Sequence, residues 1–170
     1  MRGDAETAAC LATLPVLETR QVGSALKFGL IAAGEADRAL LAQVDALPER
    51  ARTLMGDLAL HSILAEIWAV VAEANRYFAG QEPWALRKSD PARMATVLYV
   101  TAEVVRRAAI LLQPFMPDSC ARLLDLLAVA PDERSFTALS DGNGLEPGRA
   151  MPAPQGVFPR YVEAEGQTAS

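Results

Sequence analysis

Histidine occurs once in this chain, as His61, and lysine twice, as Lys27 and Lys88. Cysteine also occurs twice, and Cys10 and Cys120 lie far apart in unrelated surroundings. Neither belongs to a C-x-x-C pair or has histidine company, so no zinc site and no disulfide framework is expected. There is no G-x-S-x-G, no glycine-rich phosphate loop and no H-E-x-x-H, and catalytic and metal-ligating residues are accordingly read as none. No apolar run approaches the length of a membrane span. The first residues carry Arg2 with Asp4 and Glu6, and Pro15 interrupts their apolar stretch, so a secretory leader is not expected. A formal net charge of −5 weighs against indiscriminate nucleic-acid binding, so any RNA contact must come from a local patch. The expected setting is cytoplasmic, with no membrane and no DNA partner.

What is present is helical punctuation. A chain of 170 residues with 51% hydrophobic and 22% charged residues has the composition of one globular domain, not of a disordered segment. Residues 1–33 show no sustained period and read as an atypical segment of short helix or coil. Glu35 to Leu47 is an amphipathic run that Pro48 closes or restarts. A long helix is expected from about Glu49 to Ala79. Its apolar face is read as Leu54, Leu58, His61, Leu64, Trp68, Val71, Asn75 and Phe78, with Gly80 as a left-handed cap. Gln81 to Trp84 is a turn, followed by a brief helical turn through Arg87.

Asp90-Pro91 is a helix start, with Asp90 as N-cap and Pro91 as first helical residue. That helix runs to about Leu112, with Met94, Leu98, Thr101, Val105, Ala108 and Leu112 on one face. Pro114 and Pro117 break the chain, and Pro117 opens a further helix carrying Cys120, Leu123, Leu124 and Leu127. Beyond Pro131, glycine and proline leave no room for a regular element. The expected fold is all-α: a bundle of four to five helices over 34–130, and an extended, loop-rich tail over 131–170 that packs back on it.

Single residues have plain readings. His61, on the apolar stripe, is expected to be a hydrogen-bonded core residue. Asn75 is read as a buried amide bonded to the loop backbone near Pro83. Glu66, Glu73 and Glu103 are taken as solvated surface. Arg106 and Arg107 either extend a basic strip or are solvated, and the second reading is favoured.

The stretch Ala74-Asn75-Arg76-Tyr77-Phe78-Ala79-Gly80-Gln81-Glu82-Pro83-Trp84-Ala85-Leu86-Arg87-Lys88 resembles the junction of two anticodon-domain helices in class I aminoacyl-tRNA synthetases. Leu111-Leu112-Gln113-Pro114-Phe115-Met116-Pro117 is similar to the same domain's L-L-x-P-F-x-P element. These two would also suit the isoleucyl, valyl, leucyl or cysteinyl enzymes. The ending Phe158-Pro159-Arg160 resembles the F-P-R element that closes the domain in methionyl-tRNA synthetases, and the likeness extends over roughly residues 35–163.

The resemblance implies a partner, the anticodon loop of tRNA-Met, and a role for Trp84. In the family, the tryptophan of the P-W pair lies where that loop docks, so an unstacked base can pack on its indole. Read from its residues alone, Trp84 is either such a platform or a staple of the helix start; the resemblance favours the platform. Pro83 would stiffen it. Arg87 and Lys88 follow within one helical turn and would meet flanking phosphates, or else form a solvated basic pair.

Two departures limit what the resemblance carries. The family's first helix presents an asparagine and an arginine one turn apart, whereas no asparagine precedes Leu40 here. The H-x-G-H and K-M-S-K-S signatures of the nucleotide-binding fold are absent, so no ATP or methionine site is expected in this chain. ATP, the family's cofactor, would be used by a catalytic domain that is not here. Alternatives are a non-functional truncated or frameshifted remnant, or a helical interaction module acting in trans with a separate synthetase catalytic domain.

Overall fold

The computed structural model describes residues 34–140 and 143–158. The readings made for residues 1–33 and for Pro159 and Arg160 lie outside the described residues. Among the described residues six α-helices follow in order: α1 (Glu35–Asp45), α2 (Leu47–Gly56), α3 (Leu60–Gln81), α4 (Pro83–Ser89), α5 (Pro91–Leu112) and α6 (Pro117–Leu126). Two short 3-10 turns, Pro131–Glu133 and Phe136–Leu139, follow. Among the described residues there is no strand, and the expected all-helical bundle is what the chain forms.

Helix α5 is the axis. It packs against α1, α3, α4 and α6, and so is buried over most of its circumference. Val97, Val100, Val104, Ala109 and Ile110 are each no more than 2% exposed. They meet Leu40 and Val44 of α1, Leu47 of α2, Ile63 and Ile67 of α3, and Cys120 and Leu124 of α6 in one apolar core. Removing this much apolar surface from water is the main driving force of the fold. Asp90 starts α5 as expected, its carboxylate accepting from the Arg93 amide at 2.9 Å. Pro117 opens α6 as expected.

The single long helix expected from Glu49 to Ala79 is two helices. The chain leaves α2 through a Schellman motif. Leu58 takes a left-handed φ of 55°, its amide donating to Met55 O at 3.0 Å while the Ala59 amide donates to Leu54 O at 2.9 Å. The same motif ends α6, with Ala128 at φ 55° and amides 128 and 129 returning to Asp125 O and Leu124 O. Neither left-handed position holds glycine, and for that reason the break inside 49–79 escaped a reading that relied on glycine as the stop signal.

The buried face of α3 is also one residue away from the expected stripe. Ile63, Ile67, Val70, Ala74 and Tyr77 are buried, whereas Leu64, Val71 and Phe78 are half-buried and Trp68 is 49% exposed. His61 and Asn75 are exposed, so neither is the core polar group expected. A ring nitrogen of His61 lies 3.1 Å from Ser62 Oγ.

Glu103 and Arg106, read from sequence as solvated, are each 3% exposed. Arg106 donates to both Glu103 oxygens, at 2.6 and 2.9 Å, and reaches Asn143 O at 2.6 Å and Ala138 O at 3.4 Å. Arg107 binds Glu103 at 2.7 Å and also pairs with Asp45. Arg106 therefore holds the segment around residue 143 against α5, Arg107 ties α5 to the end of α1, and the two form no basic strip. Gly144 makes the close approach possible: a Cβ there would stand 3.0 Å from the Tyr99 hydroxyl.

Candidate nucleic-acid interface

The site begins with the way α3 stops. A residue preceding proline is disfavoured in the right-handed helical region. Pro83 imposes that restriction on Glu82, which turns to φ 46°, ψ 57°. Gly80, expected as the left-handed residue, stays helical because the break is set by the proline two residues after the helix's last turn. The Glu82 carbonyl then accepts from the amides of Ala85 and Leu86, at 2.8 and 3.2 Å, and α4 starts at once in a new direction.

Of the four residues singled out from the sequence, the structure separates one from three. Pro83 is buried, so its contribution is to fix the elbow, and its ring is not open to a ligand. Trp84, the next residue, is 53% exposed. Its ring lies 6.1 Å from that of Phe78 at an interplanar angle of 60°, so the indole is braced by one aromatic neighbour while about half of the residue stays exposed. Arg87 and Lys88 are exposed in the last turn of the same helix. Half-buried Leu86 ties α4 to the core.

A groove of about 310 Å³ runs between α1 and α3, lined by Leu40, Gln43, Arg76, Tyr77 and Gly80 among others. It lies on another side of α3, because two residues along a helix point about 200° apart, and Arg76 and Phe78 are two apart.

Behind the elbow sits a polar cluster that the sequence reading missed. Asp37 is fully buried. Its carboxylate accepts from the Tyr77 hydroxyl at 2.6 Å, from the Gly34 amide at 2.7 Å, and from both terminal nitrogens of Arg93, one of them at 2.7 Å. The Arg93 nitrogen also donates to Gln81 Oε1 at 2.7 Å. Burial alone would raise the Asp37 carboxyl, but the hydrogen bonds from Arg93, Tyr77 and Gly34 outweigh it and hold the group below its ordinary value. Burial and the adjacent carboxylate push the Tyr77 phenol upward. The signal that would have exposed Asp37 was present: with Leu40 and Val44 it shares the i, i+3, i+7 stripe of α1.

Among the described residues no group of metal-ligating side chains is assembled, and no helix is long and apolar enough to cross a membrane. The arrangement offers an aromatic face with two cations beside it and no nucleophile with an activating base.

The chain as a whole is similar to known proteins. Residues 30–169 match the anticodon binding domain of methionyl tRNA ligase. A methionine--tRNA ligase of Brucella suis is 63% identical over 133 residues, covering 78% of this chain and 26% of that protein. The Mycobacterium tuberculosis methionine--tRNA ligase is 53% identical over 131 residues. The free-state crystal structure of M. tuberculosis methionyl-tRNA synthetase superposes with a TM-score of 0.74 at 50% identity, over 78% of this chain and 27% of that one. The same enzyme in complex with methionyl-adenylate gives 0.77 at 45% identity, over 91% and 29%. The chain thus spans about a quarter of the length of the relatives it matches. On fold, family match and identity together, it belongs to the anticodon-binding domain family of the methionyl-tRNA synthetases.

Proposed function

We propose that this chain is a cytoplasmic tRNA-recognition module that holds the anticodon loop of tRNA-Met, with Trp84 as stacking platform and Arg87 and Lys88 as phosphate contacts. One observation carries the reading: a half-exposed indole stands at the α3–α4 elbow, on the same short helix as two exposed cations. A flat ring fixed before the ligand arrives loses little entropy on stacking, and each stacked base contributes about 1–3 kcal/mol. Within a whole synthetase the module would orient the tRNA so that its distant acceptor end reaches the ATP-dependent catalytic domain. By itself the chain binds and does not aminoacylate.

Exposed apolar side chains favour a second element of the reading. Phe158 is 62% exposed and Trp68 49%, which suits a module that docks on a synthetase catalytic domain.

The test is a titration of the full chain with a stem-loop carrying the CAU anticodon and with one carrying an unrelated anticodon. Tighter binding of the CAU loop is expected, with a loss of roughly 5- to 150-fold on Trp84→Ala, the equivalent of the stacking contribution above. Equal affinity of the variant and the unaltered chain would rule out the platform.

A further inference from the structure

Helix α4 is only 7 residues long and could not hold a direction unaided. Its two ends are nevertheless tied together from outside. Gln81, two residues before the helix, accepts from Arg93, four residues after it. Gln81 and Tyr77 are one turn apart on α3, so both reach the same point at the end of that helix. Arg93 stands in the first turn of α5, where its own amide is held by Asp90. Asp37, from the first turn of α1, closes the set. Three helix ends thus converge on one buried carboxylate, and the excursion that carries Trp84 is a closed loop pinned at its neck.

A buried carboxylate is tolerated only where donors saturate it, and Asp37 has four, two of them from Arg93. Such clusters add less to stability than apolar packing would, but they allow few alternative arrangements, because every oxygen has an assigned donor. Here the cluster joins the end of α3 to the start of α5, the two points between which α4 and its Trp84 are strung.

We propose that Gln81, Arg93 and Asp37 are positioning residues for RNA recognition: their clasp sets the orientation of the Trp84 ring without contacting the ligand. The inference rests on the reading of Trp84 as a base-stacking platform, and it names the residues that make that platform rigid.

Gln81→Ala is the informative variant. It opens the clasp and leaves the Asp37–Arg93 pair intact, whereas removing either charge would strand the other inside the protein and endanger the fold. Two readouts on the full chain decide the matter. The first is affinity for the CAU stem-loop in a double-mutant cycle with Trp84→Ala. Gln81→Ala is expected to weaken binding about five-fold when Trp84 is present and not at all when it is absent. Gln81→Glu, which keeps an acceptor facing Arg93, is expected to restore most of the affinity. The second is the fluorescence anisotropy decay of Trp84 in a Trp68→Phe background, where fast local motion should grow on Gln81→Ala. Equal losses with and without Trp84, or unchanged anisotropy, would overturn the proposal. If Trp84→Ala alone leaves affinity untouched, the RNA reading fails, while the anisotropy still decides whether the clasp orients the ring.

Discussion

The Leu145 amide donates to Glu103 Oε2 at 3.1 Å, joining a residue in the middle of α5 to one 42 positions further along the chain. Tyr99 supports the same junction, its hydroxyl donating to Leu145 O at 3.2 Å. Together with the Arg106 bonds to Asn143 O and Ala138 O, these make one carboxylate the anchor of a segment otherwise without regular structure.

Glu103→Leu should therefore cost about 3–5 kcal/mol of folding stability, because the Arg106 guanidinium loses its partner inside the protein. The double variant Glu103→Leu, Arg106→Met is expected to recover part of that loss. Chemical denaturation midpoints measure both. A double variant less stable than either single one would contradict this account.

Acid should unfold the protein through the same kind of group. Burial raises the Glu103 carboxyl, but Arg106 and Arg107 outweigh it, so it sits below its ordinary value of 4.5; Asp37 likewise sits below 3.8. Unfolded carboxyls then take up protons first as the pH falls. The stability these two groups contribute is complete above about pH 5, declines as the solution passes their ordinary values, and is gone only below the lowered folded values. Urea midpoints between neutral and acid pH should be level before that decline; a fall already under way near pH 6 would implicate other groups.

Leu58→Gly and Ala128→Gly should each stabilise the fold by up to about 1 kcal/mol, since both residues sit in the left-handed region that a Cβ disfavours. Leu58 is in addition 81% exposed, so little packing is lost there. Thermal unfolding compares the variants; a drop in midpoint for both would show that the caps carry no strain.

If Arg87 and Lys88 meet phosphates, the double variant Arg87→Ala, Lys88→Ala should lower the slope of log affinity against log salt by about 1.4, at roughly 0.7 per contact with a single strand. Affinity measured at several salt concentrations supplies the slope. No change would return both residues to the solvated surface.

How much of this was legible in the sequence depended on whether the cause was local. Asp90, Pro91 and Pro117 act on their own neighbours, and the helix starts they announce are where they were expected. The elbow was legible as a turn but misplaced by two residues, because Gly80 only permits a left-handed conformation whereas Pro83 bars Glu82 from continuing the helix. The face of α3 was misread because that helix carries two apolar stripes one residue apart, and spacing alone does not say which of them meets α5. Glu103 and Arg106 looked solvated because a charge is normally outside; they pair within their own helix as they could on any surface, and a segment some 40 residues later adds their further partners. The exposed ring of Trp84 could be anticipated, but the cluster that holds it draws on positions 34, 37, 77, 81 and 93, which no local pattern unites.

The buried position of Asp37 sets a condition on transplanting this surface into a designed scaffold. A graft limited to α3, α4 and α5 would carry Tyr77, Gln81 and Arg93 but leave the Arg93 guanidinium without its carboxylate partner. The 11 residues of α1 have to travel with the graft, as the smallest unit in which the borrowed tryptophan keeps its aim.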